Sequence, residues 1–127
     1  MAENKKTVLV IDDEKDFVLT LKERLEHDGF NVFEAYDGLE GLEVLRRENI
    51  SIILLDIMMP RMDGFTFLKT IGEEHEVFPN PPVIVITAYM RLLGKEKRKL
   101  IGDIPLFNKP FDYDELLSKI KELLKQD

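Results

Sequence analysis

The chain has 127 residues, of which 44% are hydrophobic and 34% are charged, with a formal net charge of −7. This size and composition predict one globular domain with an apolar core. The acidic balance argues against direct binding to nucleic acid, and the absence of cysteine excludes disulfides, thiolate metal sites and cysteine nucleophiles. No apolar run approaches the roughly 18 residues of a membrane span, and no signal peptide precedes the first strand. We therefore expect a cytoplasmic protein without membrane contact.

Five short apolar runs alternate with amphipathic segments along the chain. Unbroken runs of Val, Ile and Leu that end in polar residues indicate strands buried on both faces. The predicted strands are Thr7–Ile11, Asn31–Ala35, Ile52–Leu55, Val83–Thr87 and Ile104–Lys109. The second run is less apolar, and proline in the fifth is tolerated only at an edge or a first position. We therefore expect these two strands at the edges of the sheet.

Apolar residues at helical spacing predict a helix after each strand. The inward-facing stripes are Phe17, Leu21 and Leu25 in the first helix, Leu39, Leu42 and Leu45 in the second, Phe65, Leu68 and Ile71 in the third, and Leu116, Leu117, Ile120, Leu123 and Leu124 in the fifth. The fourth predicted helix, Met90–Ile101, is basic, which fits either a solvated face or a surface for an acidic partner. Three prolines make the segment His75–Pro82 irregular.

Polar residues and glycines mark the ends of these helices. Asp13 and Glu14 suit the positive end of the first helix dipole, and Gly29 is a typical C-terminal residue for that helix. Asp37 and Asp63, each followed by glycine, open the second and third helices. Asp112 is the expected cap of the last helix.

The alternation of strands and helices predicts an α/β fold in which a parallel sheet lies between two layers of helices. The strand order 2-1-3-4-5 is favoured because the most apolar strands, the first, third and fourth, then lie in the middle. A single domain is predicted over residues 1–127, with no output domain after the fifth helix. We expect this domain to act by docking on another protein, or to have been cut from a longer one.

Asp56 follows the central apolar run directly. In open α/β sheets, ligands bind outside the carboxyl ends of the strands. Asp12 and Asp13 follow the first strand, Thr87 ends the fourth and Lys109 ends the fifth, so parallel pairing brings all five residues to one edge. An aspartate after a strand can also simply open a turn, and the central run alone favours neither interpretation.

Three carboxylates in one crevice raise an electrostatic problem. One pKa must rise, or a cation must lie among the acids. An all-oxygen set without His or Cys selects a hard cation, and partial ligation suits Mg²⁺ better than Ca²⁺. A carboxylate nucleophile, a divalent cation, the Lys109 ammonium and the Thr87 hydroxyl together fit an aspartyl-phosphate site. The central position of Asp56 indicates that it is the nucleophile.

The same residues resemble a known family, the receiver domain of bacterial response regulators. The matching motifs, spread over residues 6–125, are Asp12-Asp13, Asp56, the segment Met58–Gly64, Thr87-Ala88 and Lys109-Pro110-Phe111. The resemblance implies a flavodoxin-like fold and a phospho-accepting switch of two-component signal transduction. It also implies that a histidine kinase or phosphotransfer protein phosphorylates the chain and that an unidentified output protein reads its state.

Individual roles follow from the resemblance as well. The implied Mg²⁺ ligands are Asp13, Asp56 and the Met58 carbonyl, with Asp12 acting through water. The implied phosphoryl contacts are Thr87 and Lys109, and the peptide bond between Lys109 and Pro110 is expected to be cis. The only enzymatic chemistry that the family implies is self-phosphorylation and self-dephosphorylation.

The chain departs from the family pattern near the switch. Receivers usually carry an aromatic residue three positions before the conserved lysine, where this chain has Leu106. Phe107 comes one position later and should face the other side of the sheet, because strand side chains alternate. We hypothesise that Tyr89, close after Thr87, supplies part of the switch role. Met58 and Tyr89 also flank the expected phosphoryl site, and neither can act as a base, so we expect slow self-dephosphorylation.

Two other functions share this pattern of residues. A Mg²⁺-dependent phosphohydrolase would also use an aspartyl-phosphate, but such enzymes typically have a further acid two residues after the nucleophile, where this chain has Met58. An FMN-binding module would need a Ser/Thr/Gly-rich loop after the first strand. The acidic residues 12–14 would instead repel phosphate unless a metal intervened.

Overall fold

A computed structural model describes residues 5–59, 61–74, 80–88 and 90–125. The strands are β1 Thr7–Ile11, β2 Asn31–Ala35, β3 Ile52–Leu55, β4 Val83–Thr87 and β5 Leu106–Asn108. The helices are α1 Lys15–His27, α2 Gly38–Arg47, α3 Gly64–Glu73, α4 Lys95–Ile101 and α5 Tyr113–Leu124. Tyr89 and most of the predicted irregular segment 75–82 lie outside the described residues.

All five strands pair in parallel in the order β2-β1-β3-β4-β5, which confirms the predicted topology. Strand β3 is central: Leu55 pairs with Ile11 of β1 and with Val85 of β4. Every residue of β3 and β4 is buried, as their unbroken apolar runs predict. The residues that follow β1 and β3 therefore lie side by side at one edge of the sheet.

Alternate residues of each strand pack into two separate cores. On one face, Ile11, Leu55 and Val85 pack with residues of α2, α3 and α4. On the other face, Leu54 and Ile86 pack with residues of α1 and α5. In the described part of the chain, no helix is long and apolar enough to cross a bilayer.

The inward faces of α2 and α3 differ from the prediction. Leu39 points to solvent and is 46% exposed. Gly41 faces inward, and a Cβ there would lie 2.6 Å from Ile11 Cδ1, so this close approach sets the rotation of α2. In α3, Phe67 is fully buried, whereas Phe65 and Leu68 are only partly buried. The cause lies in the first turn of α3, where a glycine backs directly onto the loop after β3.

The predicted helix Met90–Ile101 and the predicted strand Ile104–Lys109 are both shorter in the structure. A 3-10 helix covers Met90–Leu92, and α4 begins only after Gly94, which is extended rather than helical. Glycine is a poor residue for a helix interior, so the break falls there. Strand β5 covers only Leu106–Asn108. Pro105 precedes it and accepts a hydrogen bond from the Val85 amide, 2.9 Å, without needing a donor of its own.

Candidate functional site

Three carboxylates meet at the carboxyl edge of the sheet. Asp12, Asp13 and Asp56 each offer an oxygen, and these oxygens all lie within 4.8 Å of one another. Asp12 and Asp56 are buried, whereas Asp13 is exposed. The structure thus brings together the three acids that were singled out in the sequence.

Backbone hydrogen bonds hold the two buried acids in place. The Asp56 amide donates to the Ile11 carbonyl over 2.9 Å, and the Asp12 amide donates to the Ala35 carbonyl over 3.0 Å. Their side chains turn back on the loops that follow: Asp12 Oδ1 accepts from the Glu14 amide over 2.9 Å, and Asp56 Oδ1 accepts from the Met58 amide over 3.3 Å. Sheet pairing therefore fixes the spacing of these carboxylates before any ligand arrives.

Burial makes the acidic cluster electrostatically costly. Burial, followed by the neighbouring charge of Asp12, raises the pKa of Asp56 to about 6. Burial also raises the pKa of Asp12, and the hydrogen bond from Lys109 opposes this effect without cancelling it. A cation beside Asp12 and Asp56 would favour their charged forms and so oppose the rise in their pKa values.

Lys109 is the cation next to the cluster, and it contacts Asp12 and Glu14 more closely than Asp56. Its Nζ lies 2.6 Å from Asp12 Oδ2 and 2.8 Å from Glu14 Oε1, yet 3.9 Å from Asp56 Oδ2. Burial alone lowers the pKa of Lys109, but the hydrogen bonds to Asp12 and Glu14 outweigh burial and leave that pKa above its ordinary value. The Phe17 ring covers the ammonium, with Nζ 4.1 Å from the ring centroid.

The remaining predicted site residues lie around the cluster. Thr87 is fully buried at the end of β4, and its carbonyl accepts from the Lys109 amide over 2.9 Å. The Met58 side chain is 43% exposed. Leu106 packs on the face of the sheet covered by α2, α3 and α4. Phe107 packs on the opposite face, as strand alternation predicts. The peptide bond between Lys109 and Pro110 is cis, as expected.

Two features of the site were not found in the sequence. Glu14 is an ion-pair partner of Lys109 across 95 residues of chain, a contact that only the fold creates. Arg61, with φ at +61°, places its guanidinium 2.5 Å from Asp37 Oδ2 and so ties the loop after β3 to the start of α2. From the sequence, Asp37 was expected only at the start of the second helix. The structure confirms that position, because the Glu40 amide donates a hydrogen bond to Asp37 Oδ1 over 2.9 Å.

The donor set fits a small hard cation. Two oxygens on opposite sides of Mg²⁺ lie about 4.2 Å apart, because each Mg²⁺–O bond is about 2.1 Å. The carboxylate oxygens of the cluster lie within 4.8 Å, so a small inward movement would suffice. Carboxylates without nitrogen or sulfur ligands are also the chemistry that Mg²⁺ prefers.

Comparison with known proteins places this geometry in a family. Residues 8–121 match the response regulator receiver domain. The chain is 37% identical over 123 residues to the transcriptional regulatory protein CpxR of Escherichia coli, covering 94% of this chain and 49% of that protein. It is 34% identical over 117 residues to sporulation initiation phosphotransferase F of Bacillus subtilis, covering 92% of both. The chain thus spans about half the length of CpxR and most of the Bacillus protein.

Solved structures of receiver domains have the same fold as this chain. A CheY-like receiver domain from Methanospirillum hungatei superposes with a TM-score of 0.83 and 30% identity, over 96% of this chain and 95% of that one. The response regulator TrrA of Thermotoga maritima, solved with Mg²⁺ and BeF, superposes with a TM-score of 0.78 and 30% identity, over 93% of this chain and 98% of that one. The chain therefore belongs to the response regulator receiver domain family, whose members are phospho-accepting switches of two-component systems rather than classical enzymes.

Proposed function

We propose that Asp56 accepts a phosphoryl group from a histidine kinase or phosphotransfer protein. The observation that carries this proposal is the position of Asp56: buried at the end of the central strand, within 4.8 Å of two other carboxylates and 3.9 Å from a lysine ammonium. In the transfer, an Asp56 carboxylate oxygen forms a bond to phosphorus as the bond between phosphorus and the donor imidazole nitrogen breaks. The resulting acyl phosphate stays on the protein as the signal.

We also infer that Asp13, Asp56 and the Met58 carbonyl hold a magnesium ion, with Asp12 holding it through water. The spacing of the carboxylate oxygens supports the acidic members of this ligand set, and the Met58 carbonyl and the water at Asp12 come from the family resemblance. When bound, the ion neutralises charge on the phosphoryl oxygens and on the attacking carboxylate. Burial, followed by the charge of Asp12, raises the pKa of Asp56, and a nearby cation would oppose this shift by favouring the charged carboxylate.

Lys109 and Thr87 complete the proposed site. Phosphoryl transfer needs charge stabilisation on the equatorial oxygens, and an ammonium and a hydroxyl at adjacent strand ends can each serve one oxygen. The Lys109 ammonium has three donors and lies 3.9 Å from Asp56 Oδ2; two of the donors bond Asp12 and Glu14, which leaves one for a phosphoryl oxygen. Thr87, with Leu106 and Tyr89, would then pass the change to the surface around α4 and β5.

The proposed output is docking on another protein. In this proposal, residues 1–127 form a single domain that acts in the cytoplasm and contacts neither nucleic acid nor membrane itself. The net charge of −7 supports the absence of nucleic-acid binding by this domain, because an acidic protein repels the phosphate backbone. The name of the E. coli relative says that the relative regulates transcription, and this chain spans only 49% of that protein.

Incubation with Mg²⁺ and acetyl phosphate tests the acceptor. We expect intact mass spectrometry to show the addition of one phosphoryl group to the wild type and none to Asp56→Ala. Asp103→Ala is the matched control, because Asp103 is an exposed aspartate outside the cluster. Labelling of Asp56→Ala, or labelling that does not depend on Mg²⁺, would contradict the proposal.

The lifetime of the phosphorylated state tests the role assigned to Met58. We expect Met58→Asn to shorten the half-life, because an amide can position the attacking water and a thioether cannot. The measurement is loss of the phosphoryl group after removal of acetyl phosphate. An unchanged half-life would contradict the role of Met58 in slow self-dephosphorylation, and it would leave Asp56 as the proposed acceptor.

A further inference from the structure

Helix α4 is less buried than its neighbours in the sandwich. Of its seven residues, only Ile101 is buried. Leu100, one position earlier, is 68% exposed, compared with 48% for Leu19, the next most exposed large apolar side chain among the described residues. Exposure of an isolated leucine is ordinary, so the surroundings of Leu100 decide whether it matters.

Leu100 forms one wall of an apolar trough between α4 and α3. A cavity of about 310 Å³ lies between Leu100 and the α3 residues Phe65, Leu68 and Lys69. A second cavity of about 420 Å³ is lined by the same Leu68 and Leu100, together with Ile104 and residues at the start of β4. The two cavities share these two leucines and therefore adjoin, and together they make up the α3–α4 trough.

The rim of this α3–α4 trough is positively charged, although the protein as a whole is acidic. Lys95, Lys97, Arg98 and Lys99 against a single Glu96 give α4 a formal charge of +3, in a chain whose net charge is −7. On the trough itself, Lys97 Nζ lies 5.3 Å from the centroid of the Phe65 ring, and Lys69 lines the opposite wall. In the described ranges, neither of these two lysines forms an ion pair.

We propose that the α3–α4 trough binds an acidic amphipathic helix of a partner protein. The leucines and Phe65 would receive the apolar face of that helix, and the lysines on either side would pair with carboxylates at its margins. A second copy of this chain fits poorly, because it would bring two basic rims together. Nucleic acid fits poorly as well, since the centre of the trough is apolar and the whole chain is acidic.

This inference does not rest on phosphorylation. The trough contains none of the three clustered acids, and its binding can be measured on unmodified protein in chelator. Failure of the trough and failure of the proposed acceptor site are therefore distinguishable.

Titration of isotope-labelled protein with a synthetic probe tests the proposal. The probe is a capped helical peptide with leucine and alanine on one face and glutamate on the other, and the comparison peptide replaces every glutamate with lysine. We expect saturable amide shifts at Leu68, Lys69 and Leu100 with the acidic peptide and none with the basic one. Shifts confined to other surfaces, or the absence of binding, would overturn the proposal.

Matched variants separate the contributions of the trough. We expect Leu100→Glu to weaken binding at least about tenfold, because the lost burial of a leucine exceeds about 1.4 kcal/mol. Leu19→Glu, on the outer face of α1, is the control for adding a carboxylate at an exposed leucine and should leave affinity unchanged. Lys97→Glu should weaken binding about threefold at low salt and less at high salt.

Two further measurements address the other occupants. Sedimentation that shows dimers abolished by Leu100→Glu would assign the trough to a second copy and overturn the proposal. Binding of duplex DNA to the same residues, unaffected by Leu100→Glu, would assign the basic rim to nucleic acid and also overturn it. Monomeric protein that ignores DNA and binds the acidic peptide is the expected result.

Discussion

Leu55 and Asp56 are consecutive residues at the centre of the molecule, with exposed fractions of 0% and 4%. Leu55 ends the apolar interior of the sheet, where it pairs with Ile11 and Val85. Asp56 begins the polar edge, where burial and the charge of Asp12 raise its pKa to about 6. Equal burial therefore stabilises the fold at one residue and destabilises it at the next.

The difference between Leu55 and Asp56 shows that the fold loses stability at the carboxyl edge of the sheet, where its reactive groups lie. A buried leucine contributes its transfer free energy and its packing contacts. A buried carboxylate loses water and regains little from its neighbours until a cation or a phosphoryl group arrives. Strand pairing thus holds the carboxylates closer together than their mutual repulsion would leave them in solution.

The largest expected effect is on the apolar side of this comparison. We expect Leu55→Ala to lower the free energy of unfolding by about 2–5 kcal/mol, because it leaves a cavity in the core between the sheet and the helices α2, α3 and α4. Urea denaturation gives the change as a shift in midpoint at constant slope. Leu39→Ala is the control: Leu39 is 46% exposed, and its removal should cost far less. Equal losses in the two variants would mean that the central strand is not the core of the fold.

Asp56→Asn should raise the free energy of unfolding, whereas Leu55→Ala lowers it. In chelator, the folded-state pKa of about 6 exceeds the ordinary value of 3.8, so the wild type loses stability as pH rises through this interval. The asparagine variant has no such loss at this position and should be more stable above pH 6, on the order of 3 kcal/mol, and nearly equal below pH 4. The measurement is urea denaturation of both proteins across this pH range.

The control for that prediction is Asp103→Asn, which removes an exposed carboxylate. Its difference from the wild type should change little between pH 4 and pH 8. A flat difference for Asp56→Asn over the same range would show that Asp56 titrates normally, and the contrast with Leu55 would disappear.

Addition of Mg²⁺ should reduce the cost of the acidic edge without changing the interior. At ten times its dissociation constant, a ligand that binds only the folded state adds about 1.4 kcal/mol of stability. We expect Mg²⁺ to raise the unfolding midpoint of the wild type and not that of Asp13→Asn, in which an exposed member of the cluster is neutral. An equal rise with NaCl at matched ionic strength would indicate simple charge screening.

The smallest expected effect is at Glu14. Its carboxylate is 61% exposed, so its pair with Lys109 is screened by water. We expect Glu14→Gln to change the free energy of unfolding by no more than about 0.5 kcal/mol, measured by urea denaturation. A loss above 1 kcal/mol would mean that Glu14, like Asp12, belongs to the buried part of the edge.

Periodicity in the sequence was sufficient for the strands and for their order. The first four strands match their predicted bounds. For β1, β3 and β4 the reason is that unbroken β-branched and leucine runs have few other solutions in a short segment. The acidic cluster followed, since polar residues at the ends of neighbouring parallel strands must converge. Thr87 and Lys109 reached the same edge for that reason.

Rotation of the helices could not be predicted in the same way. Phe65 and Phe67 are both plausible inward residues of α3, and the contact of its first turn with the loop after β3 favours Phe67. The start of α4 was missed because Arg91 and its neighbours continue a helical pattern through Gly94. The contact between Arg61 and Asp37 joins residues 24 positions apart and leaves no local signal.

The sequence by itself determined which residues form the sheet, which acids stand at its carboxyl edge, and the family to which they belong. These properties depend on local apolar patterns and on the spacing of short motifs. Only the tertiary structure decided that Lys109 lies on Asp12 and Glu14, that Leu100 faces an open trough, and that burial shifts the pKa of Asp56. Each of these depends on distances between segments remote in the chain, and such distances are set by packing.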